Sequence, residues 1–300
     1  MYMGAGMMSR WPARVLSMDS KSQGTLLGAT EIRSLAQSIG LNPTKKLGQN
    51  FVHDANTVRK IVAKAGLTSG EHVLEVGPGL GSLTLGLLDA GAEVTAVEID
   101  SRLAALLPET LKRHQPAAHF RVMEADAMTV ENLPGTITVL VANLPYNTAV
   151  PIVLHLLATI PTLRRVLVMV QAEVALRIAA EPGSKVYGGP SVKAAWFGSW
   201  SIAGPVSRQV FWPVPNVDSL LVAMDATPPP GDDKLRLVVN DLVTHAFRSR
   251  RKMARGALAE YLGATTASPL IEAAGLNPGD RGEQWSLADF VALARVVMAS

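Results

Sequence analysis

His72-Val73-Leu74-Glu75-Val76-Gly77-Pro78-Gly79-Leu80-Gly81 is the stretch on which the fold turns. Its first five residues are dominated by apolar and β-branched side chains and read as a buried strand. Three glycines at alternate positions then interrupt the run. Glycine lets backbone approach a ligand closely and turn where a side chain would collide. Ser82 to Ala90 resumes with helical periodicity. A strand, a glycine turn and a helix in this order open an α/β unit.

The pattern repeats downstream. Glu93 to Val97 reads as a second strand ending at Glu98-Ile99-Asp100, and Ser101 to His114 as a helix. Phe120 to Met123 is a third strand, closed by Glu124-Ala125-Asp126. Ile137 to Ala142 is the fourth, Val150 to Thr159 a helix, and Arg165 to Val170 a fifth strand. This alternation predicts a parallel, doubly wound sheet with right-handed crossovers. Ligands of such sheets bind beyond the carboxyl ends of the strands. Gly77 to Gly81, Glu98, Asp126 and Asn143-Leu144-Pro145-Tyr146 all fall there.

A G-x-G-x-G turn followed by an acidic strand end is compatible with a nicotinamide dinucleotide, with S-adenosylmethionine, or with a tight turn alone. Glu98 would accept hydrogen bonds from both ribose hydroxyls in either cofactor. The dinucleotide pattern places its third glycine one residue later than this chain does. Asp126 can accept from an adenine amino group, which favours a methyltransferase. Asn143 to Tyr146 point the same way. The Asn143 amide oxygen and the Leu144 carbonyl are two acceptors for an exocyclic amine, Pro145 stiffens the turn, and Tyr146 offers a ring to stack on a base. In isolation the same four residues are an ordinary strand followed by a proline turn.

Upstream, Glu31 to Ile39 reads as a short helix ended by Gly40. Asp54 is placed to cap a helix whose Val58, Ile61, Val62 and Ala65 share one face. Between them Lys45 and Lys46 are either a solvated pair or a phosphate contact. Residues 1–30 lack periodicity and the apolar core of a signal peptide, and are expected to form a disordered leader. Beyond the fifth strand, a helix through Ala180 and a glycine-rich loop, Pro182 to Pro190, precede strand-like segments at Ser199 to Val206 and Leu220 to Met224. Thr227-Pro228-Pro229-Pro230-Gly231 reads as a linker. The expected organisation is a catalytic domain over 31–226 and a small helical domain over 227–300. The latter, read as helices at Lys234 to Phe247, Lys252 to Leu262, Pro269 to Ala274 and Leu287 to Met298, carries the densest basic run: Arg248, Arg250, Arg251, Lys252 and Arg255.

The 300 residues contain no cysteine, which excludes disulfides, thiolate nucleophiles and cysteine metal sites. Six histidines without HxH or HxxxH spacing give no metal site. The net charge of +3 permits a nucleic-acid partner without requiring one. The apolar segments are too short for a membrane span. A cytoplasmic monomer is expected.

The segments LGQNF, EVGPGLGSLT, EID, ADA, NLPY, KVYGGPSV and FWPVPNVDS, in that order from about Asn42 onward, resemble the ribosomal RNA adenine dimethyltransferase family. Val52 stands where leucine is usual there, and Gly189-Pro190 where Arg-Leu is common. The resemblance implies a Rossmann-like S-adenosylmethionine-dependent methyltransferase sheet with a small C-terminal helical domain. It implies a cofactor pocket lined by Asn50, Val52, Gly77, Gly79, Glu98, Asp126 and Asn143. Asn143 and Leu144 would hold the target N6, and Tyr146 and Phe211 would sandwich a flipped base. Phe211, read alone, is also a core aromatic beside a proline-rich turn. Lys45, Lys46, Arg248, Arg250, Arg251 and Lys252 would contact RNA. One branch of the family dimethylates two adjacent adenines in the 3′-terminal hairpin of 16S rRNA, in the small ribosomal subunit or its precursor. KVYGGPSV, FWPVPNVDS and RSRRKMARGAL resemble that branch. The other branch modifies large-subunit rRNA and confers macrolide resistance. A role chiefly as a binding factor in ribosome assembly is a third expectation.

Overall fold

The computed structural model describes residues 26–42, 49–145 and 147–300. Lys45, Lys46 and Tyr146 lie outside them. The first part of the chain comprises α1 (Ala29–Ser38), β1 (Phe51–Val52), α2 (Ala55–Ala65), β2 (His72–Val76), α3 (Ser82–Asp89), β3 (Glu93–Glu98), α4 (Ser101–His114) and β4 (Phe120–Glu124). It continues with β5 (Val139–Asn143), α5 (Ala149–Thr159), β6 (Arg165–Gln171), α6 (Ala172–Ile178), α7 (Gly189–Ala195), β7 (Gly198–Val206), β8 (Phe211–Trp212) and β9 (Ser219–Ala226). Five helices follow: α8 (Asp233–Arg248), α9 (Ala254–Ala257), α10 (Ala259–Leu262), α11 (Ala267–Ala273) and α12 (Leu287–Ala299).

Local chemistry accounts for several boundaries. The Asp54 carboxylate accepts from the Thr57 N–H at 2.7 Å and starts α2, while Gly66, at φ +57°, ends it in the left-handed region. Asp100 caps α4 and Asp232 caps α8 in the same way. The buried face of α2 is Val58, Ile61, Val62 and Ala65, the set its spacing predicts.

Seven strands form one sheet in the order β4-β3-β2-β5-β6-β9-β7. β2 pairs in parallel with β3 and β5, β3 with β4, and β5 with β6. β9 adds to β6 in antiparallel register, with Val168 opposite Val222. From β2 the order runs one way to β3 and β4 and the other way to β5 and β6. The switch point therefore lies between β2 and β5, where a crevice opens at the strand ends. β1 and β8 form a separate antiparallel pair, with Val52 opposite Phe211.

Contacts divide the chain into two units, Met1–Ala175 with Ser201–Asp225, and Leu176–Trp200 with Ala226–Ser300. The second unit thus takes in a segment that the sequence reading gave to the catalytic domain. Tyr187, Val192 and Trp196 share a core with Val243, Trp285 and Phe290. The Tyr187 hydroxyl donates to the Trp285 carbonyl at 2.9 Å. These partners lie about a hundred residues apart, so no local pattern announces them.

Other boundaries differ as well. Leu26 and Leu27 are buried and α1 begins at Ala29, so the last residues assigned to the leader belong to the core. The glycine-rich loop ends at Gly188, because Pro190 suits the first turn of α7, where its missing N–H is not needed. The helix expected over Lys252 to Leu262 is the short pair α9 and α10. Among the described residues no helix is long and apolar enough to cross a membrane.

Candidate active site

At the carboxyl ends of β2 to β5 lies a cavity of about 250 Å³. All seven residues expected to line a cofactor pocket line it: Asn50, Val52, Gly77, Gly79, Glu98, Asp126 and Asn143. Pro145 joins them, while Leu144 is buried and its N–H donates to the Met169 carbonyl at 3.1 Å.

The glycine turn shapes one wall. Gly77, Gly79 and Gly81 have φ of +67°, +59° and +97°, a region side chains avoid. A Cβ on Gly77 would stand 3.8 Å from the Asn143 carbonyl oxygen, so β2 and β5 approach closely at the crevice.

Glu98 is buried at the end of β3. Its Oε2 accepts from the Gly79 N–H at 3.1 Å and its Oε1 from the Asp100 N–H at 3.0 Å. Burial pushes this carboxyl above the usual carboxylate range, and the backbone N–H groups oppose the shift. Each oxygen keeps a second lone pair for a ligand hydroxyl. Asp100 accepts from the Arg102 guanidinium and from the Gln49 amide at 3.1 Å. Arg102 holds the Asp100 carboxyl below its ordinary value. Asp126 is exposed and its Oδ1 accepts from the Met128 N–H at 2.9 Å.

Asn143 ends β5, and its Nδ2 donates to the Asn50 carbonyl at 3.0 Å. This bond fixes the amide. Its nitrogen faces Asn50, so its oxygen is the end turned away from Asn50.

Phe211 is not placed as expected. It is 1% exposed, belongs to the main apolar core and does not line the cavity. Its pairing with Val52 turns the ring inward. The neighbouring Trp212 stacks on Phe51 with ring centroids 6.2 Å apart.

The basic run is partly neutralised in space. Arg248 pairs with Glu260 at 2.9 Å and Arg250 with Glu283 at 3.0 Å. Both carboxylates are distant in sequence, so the run looked uncompensated. Arg251 and Lys252 are exposed and make no ion pair among the described residues.

One residue escaped the sequence reading. Glu75 lines the cavity from β2, is 1% exposed, and its Oε2 has no hydrogen-bond partner among the described residues. The available signal was a lone charge inside the apolar run Val73 to Val76.

A family model described as ribosomal RNA adenine dimethylase matches residues 40–297. Among curated proteins, "Ribosomal RNA small subunit methyltransferase A" of Leifsonia xyli subsp. xyli is 60% identical over 273 residues, 90% of this chain and 98% of that protein. The protein of the same name from Rhodococcus erythropolis is 55% identical over 282 residues, covering 91% and 94%. Among solved structures, the 23S rRNA methyltransferase ErmE is 27% identical with a TM-score of 0.62, over 83% of this chain and 100% of its own. A dimethyladenosine transferase from Plasmodium falciparum, 22% identical with a TM-score of 0.66 over 81% and 95%, shares the fold. With the family model matching well over half of the chain, from residue 40 to 297, and with the glycine turn, acidic strand ends and Asn143 around one cavity, this protein belongs to the ribosomal RNA adenine dimethylase family.

Proposed function

We propose that this protein transfers methyl groups from S-adenosylmethionine to the N6 amines of two adjacent adenines in the 3′-terminal hairpin of 16S rRNA, acting on the small ribosomal subunit or its precursor as a cytoplasmic monomer. The observation that carries this reading is the orientation of Asn143. Its Nδ2 is committed to Asn50, so its oxygen is the acceptor available to an incoming amine. An adenine N6 lone pair is delocalised into the ring. Acceptors that draw its hydrogens out of the ring plane restore some nucleophilic character.

The cavity suits the cofactor. Among its described lining residues are four carboxylates, Glu75, Glu98, Asp100 and Asp126, and no Lys, Arg or His. That balance favours a cation. The Ser82 hydroxyl and Glu75 Oε2, both buried and without hydrogen-bond partners among the described residues, invite a polar ligand, and the glycine turn leaves room for it. When bound, S-adenosylmethionine supplies an electrophilic methyl group on a cationic sulfur. The residues' share of the catalysis is positioning in a site that excludes water. Glu98 holds the ribose, and Asp126 receives the adenine amino group. The target base must leave its stack to enter. Tyr146 is the ring proposed to hold it, since Phe211 is committed to the core. Arg251 and Lys252 contact phosphate and orient the RNA.

Relatives at 52–60% identity named for the small subunit favour this substrate over the large-subunit one named for ErmE. The test is methyl transfer from labelled S-adenosylmethionine to immature small subunits, mature subunits and naked 16S and 23S rRNA. N6,N6-dimethyladenosine in the 16S 3′ hairpin is expected. Modification of 23S rRNA alone would overturn the substrate assignment.

A further inference from the structure

Three consecutive residues bridge the crevice in which the cavity lies. The Gln49 side chain donates from Nε2 to Oδ2 of Asp100 at 3.1 Å. The Asn50 carbonyl accepts from Nδ2 of Asn143 at 3.0 Å. Phe51 lies on the glycine turn, where a Cβ on Gly79 would meet its ring at 2.8 Å. These partners belong to three different strand ends. Asp100 follows β3, Asn143 ends β5 and Gly79 follows β2, and the sheet order is β3-β2-β5. The ends of β3 and β5 therefore stand two strand spacings apart, about 10 Å. Residues 49–51 form a strap across that gap, and all three line the cavity.

The chemistry of the partners fixes both amides. Asp100 is ion-paired with Arg102 at 2.8 Å and is a carboxylate, which only accepts. A backbone carbonyl also only accepts. Nε2 of Gln49 and Nδ2 of Asn143 must therefore face them. Asp100 does not need Gln49 for its own satisfaction. Its Oδ1 accepts from the Arg102 N–H and Nε, and its Oδ2 accepts from Nη2. What the Gln49 bond settles is where the strap lies, and hence where the Asn50 carbonyl stands. That carbonyl in turn holds Nδ2 of Asn143 and leaves the amide oxygen turned away from it.

We propose that Gln49 is a positioning residue for methyl transfer: anchored on Asp100, it sets the Asn50 carbonyl against which the Asn143 amide is oriented. This rests on the role proposed above for Asn143. Gln49 acts through that amide and not on the reacting atoms. A misplacement of about 1 Å at a reacting centre can cost on the order of 100-fold in rate. Phe51 is buried and paired with Trp212, and keeps holding the other end of the strap. Losing the Gln49 bond should therefore cost less than that, about tenfold.

The experiment is a double-mutant cycle on the full chain. Single-turnover methyl transfer to immature small subunits is measured at saturating S-adenosylmethionine and subunit, so that changes in binding do not enter the rate. Gln49→Met keeps the length and removes the donor. Gln49→Glu keeps the shape and sets a second carboxylate against Asp100. Thermal melts and S-adenosylhomocysteine affinities check that each variant is folded with its cavity intact. In the wild-type background Gln49→Met should slow transfer about tenfold, and Gln49→Glu more. In the Asn143→Ala background neither should slow it further by more than about twofold, because the group they act through is gone. An unchanged rate for Gln49→Met in the wild-type background overturns the inference. So does an equal fold-loss in both backgrounds, and either result leaves the functional reading standing. A fully active Asn143→Ala overturns the role of Asn143 and this inference together.

Discussion

Gly79 and Phe51 approach so closely that a methyl group on Gly79 would stand 2.8 Å from Cε1 of Phe51. Phe51 is buried, paired across to β8 and stacked on Trp212, so it has little room to retreat. Gly79 also has φ +59° and donates its N–H to Glu98. Gly79→Ala should destabilise the protein by about 1–3 kcal/mol from backbone strain alone, and weaken cofactor binding by displacing the Glu98 anchor. Gly275→Ala is the control, with φ +76° and nothing within 4 Å of the added carbon. It should cost stability without changing affinity. Melting temperatures and calorimetric affinities of the two variants separate strain from collision. Unchanged affinity in Gly79→Ala would show that the turn does not shape the site.

Asn143→Ala removes the acceptor proposed for the target amine and should slow single-turnover methyl transfer by roughly 10²–10³-fold. Asn143→Asp keeps an oxygen but cannot donate to Asn50, and it adds negative charge near a cationic cofactor. It should bind S-adenosylmethionine as well as or better than wild type and still lose transfer, because the added stabilisation favours the ground state. A fully active Asn143→Ala would remove Asn143 from the chemistry.

Glu98→Ala should weaken S-adenosylmethionine binding by about 1.5–3 kcal/mol, the usual loss for charge-assisted hydrogen bonds. It also strips acceptors from the Gly79 and Asp100 N–H groups. Calorimetry showing wild-type affinity would take Glu98 out of the site.

The ion pairs of Arg248 and Arg250 alter what the basic run should do. Neutralising Arg251 and Lys252 should each reduce the log–log salt slope of RNA binding by roughly 0.7–0.9. Arg248→Gln and Arg250→Gln should change it less, because each side chain already faces a carboxylate. Cofactor affinity should stay constant in all four. Equal slopes for wild type and the Arg251 and Lys252 variants would leave the run as a solvated face.

Arg165 ties β6 to the end of α2. Its guanidinium donates to the carbonyls of Ala65 and Gly66 at 2.7 and 2.8 Å and to the Glu71 carboxylate at 2.5 and 2.6 Å. Arg165→Ala should cost about 2–4 kcal/mol, between an exposed and a buried pair. Burial acts to raise the Glu71 carboxyl, but Arg165, Thr68 and Thr138 outweigh it and hold it below its ordinary value. A depressed carboxylate contributes stability above its unfolded pKa and loses it as pH falls below about 4. The gap between wild type and Arg165→Ala should therefore be wide at neutral pH and narrow in acid. Denaturant midpoints at both pH values test this.

The local sequence alone determined the α/β order and nearly every strand and helix of the first unit. It also determined which segments meet at the strand ends. Those features rest on periodicity, caps and glycine turns, each set by residues within a few positions of one another. The strands of a parallel sheet also bring their carboxyl ends together whatever lies between them. That is why Gly77, Glu98, Asp126 and Asn143 could be placed in one cavity from spacing.

Tertiary structure decided what depends on distant partners. Only folding set Nδ2 of Asn143 against Asn50, which settles which end of the amide is free to accept. Only β1–β8 pairing turned Phe211 into the core. Glu260 and Glu283 met the basic run from 12 and 33 residues away. Leu176–Trp200 joined the second unit through side chains such as Tyr187 and Trp196, which bury against helices formed much later in the chain. Glu75 looked like a lone charge on a strand. Its burial, with an Oε2 that has no hydrogen-bond partner among the described residues, became visible only in the folded chain.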